Sequence, residues 1–167
     1  MSEITFDVGA IPVAELVPHK DSMLLLDVVR YVDADRVEAE VVVRDDGLFD
    51  DGRGGVPAWL GMEYMAQTIA AYAGTHGRQA GEGAKIGFLL GTRSFKSNVE
   101  QLPFGTRLTI SAEKLLQDEN GMAAFQCKVT GMREVNGAHS GNQLTIAQEA
   151  VLNVFQPDDP EKILLGA

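Results

Sequence analysis

Between residues 36 and 43 the chain alternates, with Arg36, Glu38 and Glu40 set between Val37, Ala39 and Val41. A period of two with β-branched apolar positions predicts a strand over 35–44 with one wet face. Four later segments share that character: 84–99, 105–117, 122–134 and 138–155. Turn-forming residues separate them at Pro103-Phe104-Gly105, Asp118-Glu119-Asn120-Gly121 and Asn136-Gly137. Residues 11–31 read as a short turn followed by the apolar run Met23 to Val29. The pattern changes only after Pro57, which suits a first helical turn because its missing N–H would have no partner there. Good helix formers follow until Gly74 and Gly77, read as stop signals. This helix is nearly apolar on every side, which predicts burial. One strand, one buried helix and then an antiparallel meander predict an α+β domain in which a long central helix is wrapped by an antiparallel sheet. The domain spans 1–156, and 157–167 reads as a flexible tail.

Glu63 breaks the apolar pattern of the helix. A carboxylate in such surroundings calls for neutralisation, a specific partner or an opening to solvent. It lies in the first two turns, where the helix dipole favours negative charge. Gln67 follows one turn later on the same face and can hydrogen-bond and orient it. A carboxyl held in this way suits general acid–base work, given a second group. His19 is a candidate, because Pro18 restricts the backbone around it and Lys20 and the apolar run follow.

Composition narrows the classes. The chain has 167 residues, 45% of them hydrophobic, and a formal charge of −10. That length supports one domain with a real core. The acidic balance argues against nucleic acid and anionic membrane surfaces as partners. With neither a signal-like start nor a bilayer-length apolar run, a cytoplasmic protein is implied. Cys127, the single cysteine, falls inside a predicted strand and reads as an inert buried thiol. His76, in the loop expected after the helix, and His139 read as solvated, and three histidines this scattered offer no metal-ligand spacing. The Asp- and Gly-rich loop 45–55 lacks the phosphate-binding patterns GxxxxGK[ST] and GxGxxG.

Three motifs together carry a resemblance. Pro18-His19-Lys20 with Leu24-Leu25-Leu26-Asp27-Val28-Val29 resembles the opening of the hotdog-fold 3-hydroxyacyl-acyl carrier protein dehydratases. The stretch Val56 to Gln67 is similar to their central-helix signature Pro-Gly-x-Leu-x-x-Glu/Asp-x-Met-x-Gln. Arg93-Ser94-Phe95-Lys96, then Pro103 and Gly105, resembles their strand ahead of a Pro-Gly turn. The chain departs from the family in the loop before the helix, where a Phe-Pro-Gly-x-Pro segment is usual, and at Ala58, where the family has glycine.

The resemblance implies a hotdog fold, a dimer with joined sheets, and dehydration of a 3-hydroxyacyl thioester to the trans-2-enoyl thioester in fatty-acid or polyene-type synthesis. It implies that His19 takes the C2 proton and that Glu63 protonates or orients the leaving hydroxyl. The Ala58 N–H would receive the thioester oxygen at the helix start, with Pro57, Trp59 and Gln67 binding substrate or holding Glu63. Family members pair the histidine of one subunit with the carboxylate of another, so the active unit would be a homodimer or an oligomer of dimers. The implied partner is an acyl carrier protein bearing a phosphopantetheine-linked chain, or alternatively coenzyme A, with no cofactor. Carrier proteins are acidic, so docking calls for a local basic patch, for which Arg93 and Lys96 are candidates and Arg78 and Lys85 weaker ones. Two other functions compete: a hotdog thioesterase, which has no need of His19, and a non-catalytic acyl-binding subunit of a mixed dimer.

Overall fold

The computed structural model describes residues 3–83, 87–134 and 143–157. Short 3-10 turns at Val8–Ala10, Val13–Glu15 and Asp21–Met23 lead into β1 (Val28–Val32) and β2 (Arg36–Val42). After the loop come β3 (Gly55–Pro57) and the helix α1 (Leu60–Gln79). The chain then forms β4 (Phe88–Ser97), β5 (Gln101–Pro103), β6 (Arg107–Gln117), β7 (Met122–Glu134) and β8 (Gln143–Phe155). A six-stranded antiparallel sheet runs in the order β1-β2-β6-β7-β8-β4, while β3 and β5 pair separately. It packs against α1 as a two-layer hotdog domain.

The alternation read from the sequence decides which face is dry. Val37, Ala39 and Val41 of β2 are buried, as are Leu108, Ile110 and Ala112 of β6. In register, Ala39 faces Ile110, which faces Val129, so one apolar row crosses three strands. Leu60, Tyr64, Met65 and Ile69 cover it from the helix. Buried hydroxyls on α1 are satisfied locally, Thr68 and Thr75 each donating to the carbonyl four residues back at 2.7 Å. The Cys127 thiol is buried and pushed up to about 12 by desolvation, which suits an inert core residue.

Three expectations need correction. The apolar run after His19 contains a strand, β1, paired with β2. The later strands are not a simple meander: β4 pairs with β8, so the chain leaves the sheet at one edge and returns near its middle. The helix does not stop at Gly74 or Gly77. A Cβ on Gly74 would lie 1.7 Å from the Leu16 carbonyl oxygen, so this glycine serves close packing. Termination belongs to Gly81 at φ 79°, where Gly81 N–H reaches Arg78 O at 3.0 Å and Glu82 N–H reaches Gly77 O at 2.7 Å. That is a Schellman closure. The Asn136-Gly137 turn, His139, Lys85 and residues 158–167 lie outside the described residues. No described helix is long and apolar enough to cross a membrane.

Candidate active site

The site begins at the turn Pro18-His19, held against the middle of α1. Leu16 packs on Gly74, and Val17 and Leu16 are buried. Beyond His19, Asp21 adopts φ 54°, a left-handed conformation that Asp tolerates better than most residues. Arg44 Nη2 then clamps the carbonyls of Leu24 at 3.1 Å and Leu25 at 2.6 Å. These contacts fix the backbone on the far side of the histidine.

Gln67 joins that segment to the helix. It is fully buried; its Oε1 accepts Leu25 N–H at 2.9 Å, and its Nε2 donates to Met23 O at 2.7 Å and to Glu63 Oε1 at 3.0 Å. A flipped amide would set oxygen against two acceptors and NH2 against a donor, so its orientation is settled by its neighbours. Glu63 therefore meets a donor whose position is fixed, which orients its carboxyl group.

His19 Nε2 lies 3.7 Å from Glu63 Oε1, with side-chain exposures of 27% and 33%. This is too long for a hydrogen bond, so the Nε2 position remains available to a ligand. His19 Nδ1 is buried and has no hydrogen-bond partner among the described residues.

Within one chain the two side chains already approach each other. His19 and Glu63 line a cavity of about 160 Å³ with Ala66, Ala70, Leu89 and Phe155. Glu63, Ala66, Ala70 and Ala73 share one helical face, and the small side chains leave the space open. A second cavity of about 230 Å³ shares Ile69, Ala73, Val154 and Gln156 with the first and extends to Tyr72 and His76. Apolar walls beside an acid–base pair suit an acyl chain.

Other expected site residues fall elsewhere. Ala58 N–H donates to Glu100 O at 3.1 Å, so the oxyanion donor read from the sequence is already used. Ala58 O accepts Gln148 Nε2 at 2.9 Å, and Pro57 pairs with Gln101 in the short ribbon. Neither lines the cavity. Trp59 is 54% exposed, its ring edge-on to Phe49 with centroids 6.3 Å apart. Arg93 and Lys96 are exposed on β4, with Lys96 Nζ 4.0 Å from Glu149 Oε1. Arg78 is exposed in the last helical turn.

His76 is not in a solvated loop. It belongs to the last turns of α1, lies 4.5 Å from the Tyr72 ring, and its Nε2 is 2.8 Å from Asp33 O. A carbonyl partner makes Nε2 the protonated nitrogen, and burial lowers the imidazole below its ordinary value. Sequence reading also missed the buried Gln148, which donates to Ala58 O and to Ser97 Oγ at 3.1 Å. Its place on the dry face of a strand was the available signal. Among the described residues no group of His, Cys, Asp and Glu could hold a metal ion.

A helix on a curved antiparallel sheet, with an acid–base pair between them, defines a hotdog-class protein. The sequence model of the ApeP dehydratase family matches residues 11–165, and the chain belongs to that family. The dehydratase heterocomplex ApeI:P of Xenorhabdus doucetiae contains a similar chain, 31% identical with a TM-score of 0.74, the match covering 93% of this chain and 97% of that one. A Streptococcus mutans protein bound to acetyl CoA matches at 10% identity and TM-score 0.53, over 85% of this chain and 97% of its own. A Campylobacter jejuni virulence protein matches at 17% and 0.52, over 88% of each chain. These last two likenesses concern the fold alone. Among curated proteins none matches the chain.

Proposed function

We propose that the protein dehydrates a 3-hydroxyacyl thioester to the 2-enoyl thioester, with His19 and Glu63 as the catalytic pair. The observation that carries this is the 3.7 Å approach of His19 Nε2 to Glu63 Oε1 at an apolar cavity. Removing a C2 proton, expelling a C3 hydroxyl and stabilising the thioester oxygen call for acid–base groups that converge, and His19 and Glu63 do so at one cavity. Membership of a dehydratase family supports the reaction class. A thioesterase would need water activated by Glu63 but not a histidine held beside it.

The chain would be delivered by an acyl carrier protein, or by coenzyme A, with Arg93 and Lys96 as local positive charge on a molecule of net −10. Trp59 and Pro57 would guide the thioester arm near the helix start. A second reading makes the chain one subunit of a mixed hotdog assembly. It is favoured by the exposed apolar residues Met23, Leu89 and Leu90, at 48%, 47% and 53% exposure, and by the similarity to a chain of a heterocomplex.

Incubation of the purified chain with 3-hydroxyacyl-pantetheine and with 2-enoyl-pantetheine tests these readings. Interconversion of the two supports the dehydratase, and release of free thiol replaces it with a thioesterase. Silence until a second hotdog subunit is added assigns the chain to a mixed assembly.

A further inference from the structure

We propose that Ala73 sets how long an acyl chain the site accepts, because it stands at the neck between the cavity beside His19 and Glu63 and the second cavity, which takes the far end of a long chain. The proposal rests on the dehydratase reading for the thioester end and adds a determinant of substrate length to it.

The two cavities are neighbours on both of their walls. Along α1, Glu63, Ala66 and Ala70 line the first, His76 and Gly77 line the second, and Ala73 lines both. Across the sheet, Leu89 of β4 pairs with Val154 of β8, which pairs with Ala123 of β7. Leu89 lines the first cavity, Ala123 the second, and Val154 between them lines both. Helix and sheet therefore agree on where one space passes into the other. Ala73 is the smallest side chain at that level, beside Ile69, Val154 and Gln156. A larger residue there would fill the passage from the helix side.

The occupant follows from continuity with the acid–base pair. A chain whose thioester lies at His19 and Glu63 has its tail in the first cavity, and the continuation is apolar, through Ile69, Ala73 and Val154 to Ala123 and Phe125. Ala73 lies ten residues after Glu63, about 15 Å along the helix axis, so a butyryl chain ends short of it and an extended palmitoyl chain reaches it. The far space is held open by its own walls. Phe125 is 2% exposed, with its ring centroid 5.4 Å from that of Tyr72. The Tyr72 hydroxyl donates to Ala34 O at 2.5 Å, and His76 Nε2 is 2.8 Å from Asp33 O. Tyr72 and His76, large enough to fill the second cavity, are thus tied to groups outside it.

The test reads chain length. Butyryl- and palmitoyl-pantetheine, which carry no 3-hydroxyl to eliminate, are titrated into the full chain by calorimetry, and kcat/KM is measured in parallel on the matching 3-hydroxyacyl compounds. Wild type should bind the palmitoyl compound more tightly, and Ala73→Leu should reduce that preference by about 10–200-fold. Leucine is nearly as good a helix former as alanine, and thermal melting checks the fold. A general loss of structure would weaken both ligands alike, whereas a filled neck changes their ratio. Val154→Phe, which narrows the same neck from the sheet, should act in the same direction and decides the matter if Ala73→Leu does not fold. Wild type without a preference for the longer chain, or a folded Ala73→Leu with the wild-type preference, overturns the proposal. A protein that prefers the palmitoyl chain in binding but converts neither 3-hydroxyacyl compound removes the dehydratase reading and leaves Ala73 as a determinant of length in binding.

Discussion

Gln67 makes three hydrogen bonds from a fully buried position, and each end of the candidate site depends on one of them. Gln67→Met preserves the volume but strands Leu25 N–H and Met23 O. The expected cost is ~1–3 kcal/mol in denaturant unfolding, with turnover falling more than substrate affinity because Glu63 loses its orienting donor. Substitution without such a split in kinetics would reduce Gln67 to a packing residue. A pH effect belongs to His76. Burial lowers its imidazole below the ordinary value, so the unfolded chain takes up a proton that the folded chain resists. Its contribution is complete above about pH 6.5 and is lost as pH falls through and below that value. Urea midpoints measured at about pH 7.5 and about pH 5.5 should differ more in wild type than in His76→Gln. Asp33 is also lowered, chiefly by the Tyr31 hydroxyl, but as a carboxylate it acts in a more acidic window. At this scale Glu63 and Gln67 were legible, because spacing on one helix fixes their contact. The fate of Ala58 N–H was not, because its acceptor, Glu100, is brought in by the pairing of β3 with β5.

At the scale of elements, a glycine has two meanings that the local sequence does not separate. Gly81 ends α1 because φ 79° is needed there. Gly74 sits inside α1 because the Leu16 backbone, two residues before Pro18, occupies the space a Cβ would need. Gly74→Ala would gain ~1 kcal/mol of helix propensity in isolation. Against a backbone carbonyl it should instead cost ~1–3 kcal/mol, since neither partner can rotate away. The same push displaces the turn that carries His19, so activity should fall together with melting temperature. A Gly74→Ala protein of raised stability would show that the turn has room to move. The strands were legible wherever alternation meets a half-wet sheet, as at Val37, Ala39 and Val41. β1 was hidden by the near-continuous apolar run before it, and the pairing of β4 with β8 has no local signature at all.

For the whole molecule, assembly bears on the cavity. β4 ends the described sheet, its second edge carries no described partner, and Leu89 and Leu90 on it are about half exposed beside the cavity. An exposed apolar edge strand is a template for another chain. Edge-to-edge association through β4 would cover it and lay a second sheet beside the cavity. Leu90→Lys should therefore shift the protein toward its 18.0 kDa monomer in light scattering. With Leu89 of the same edge on the cavity wall, that monomer should lose affinity for longer chains, seen as a raised KM. Complete loss of dehydration on a folded monomer would mean that the second subunit contributes chemistry and not only shelter. An unchanged oligomer would place the contact on another surface.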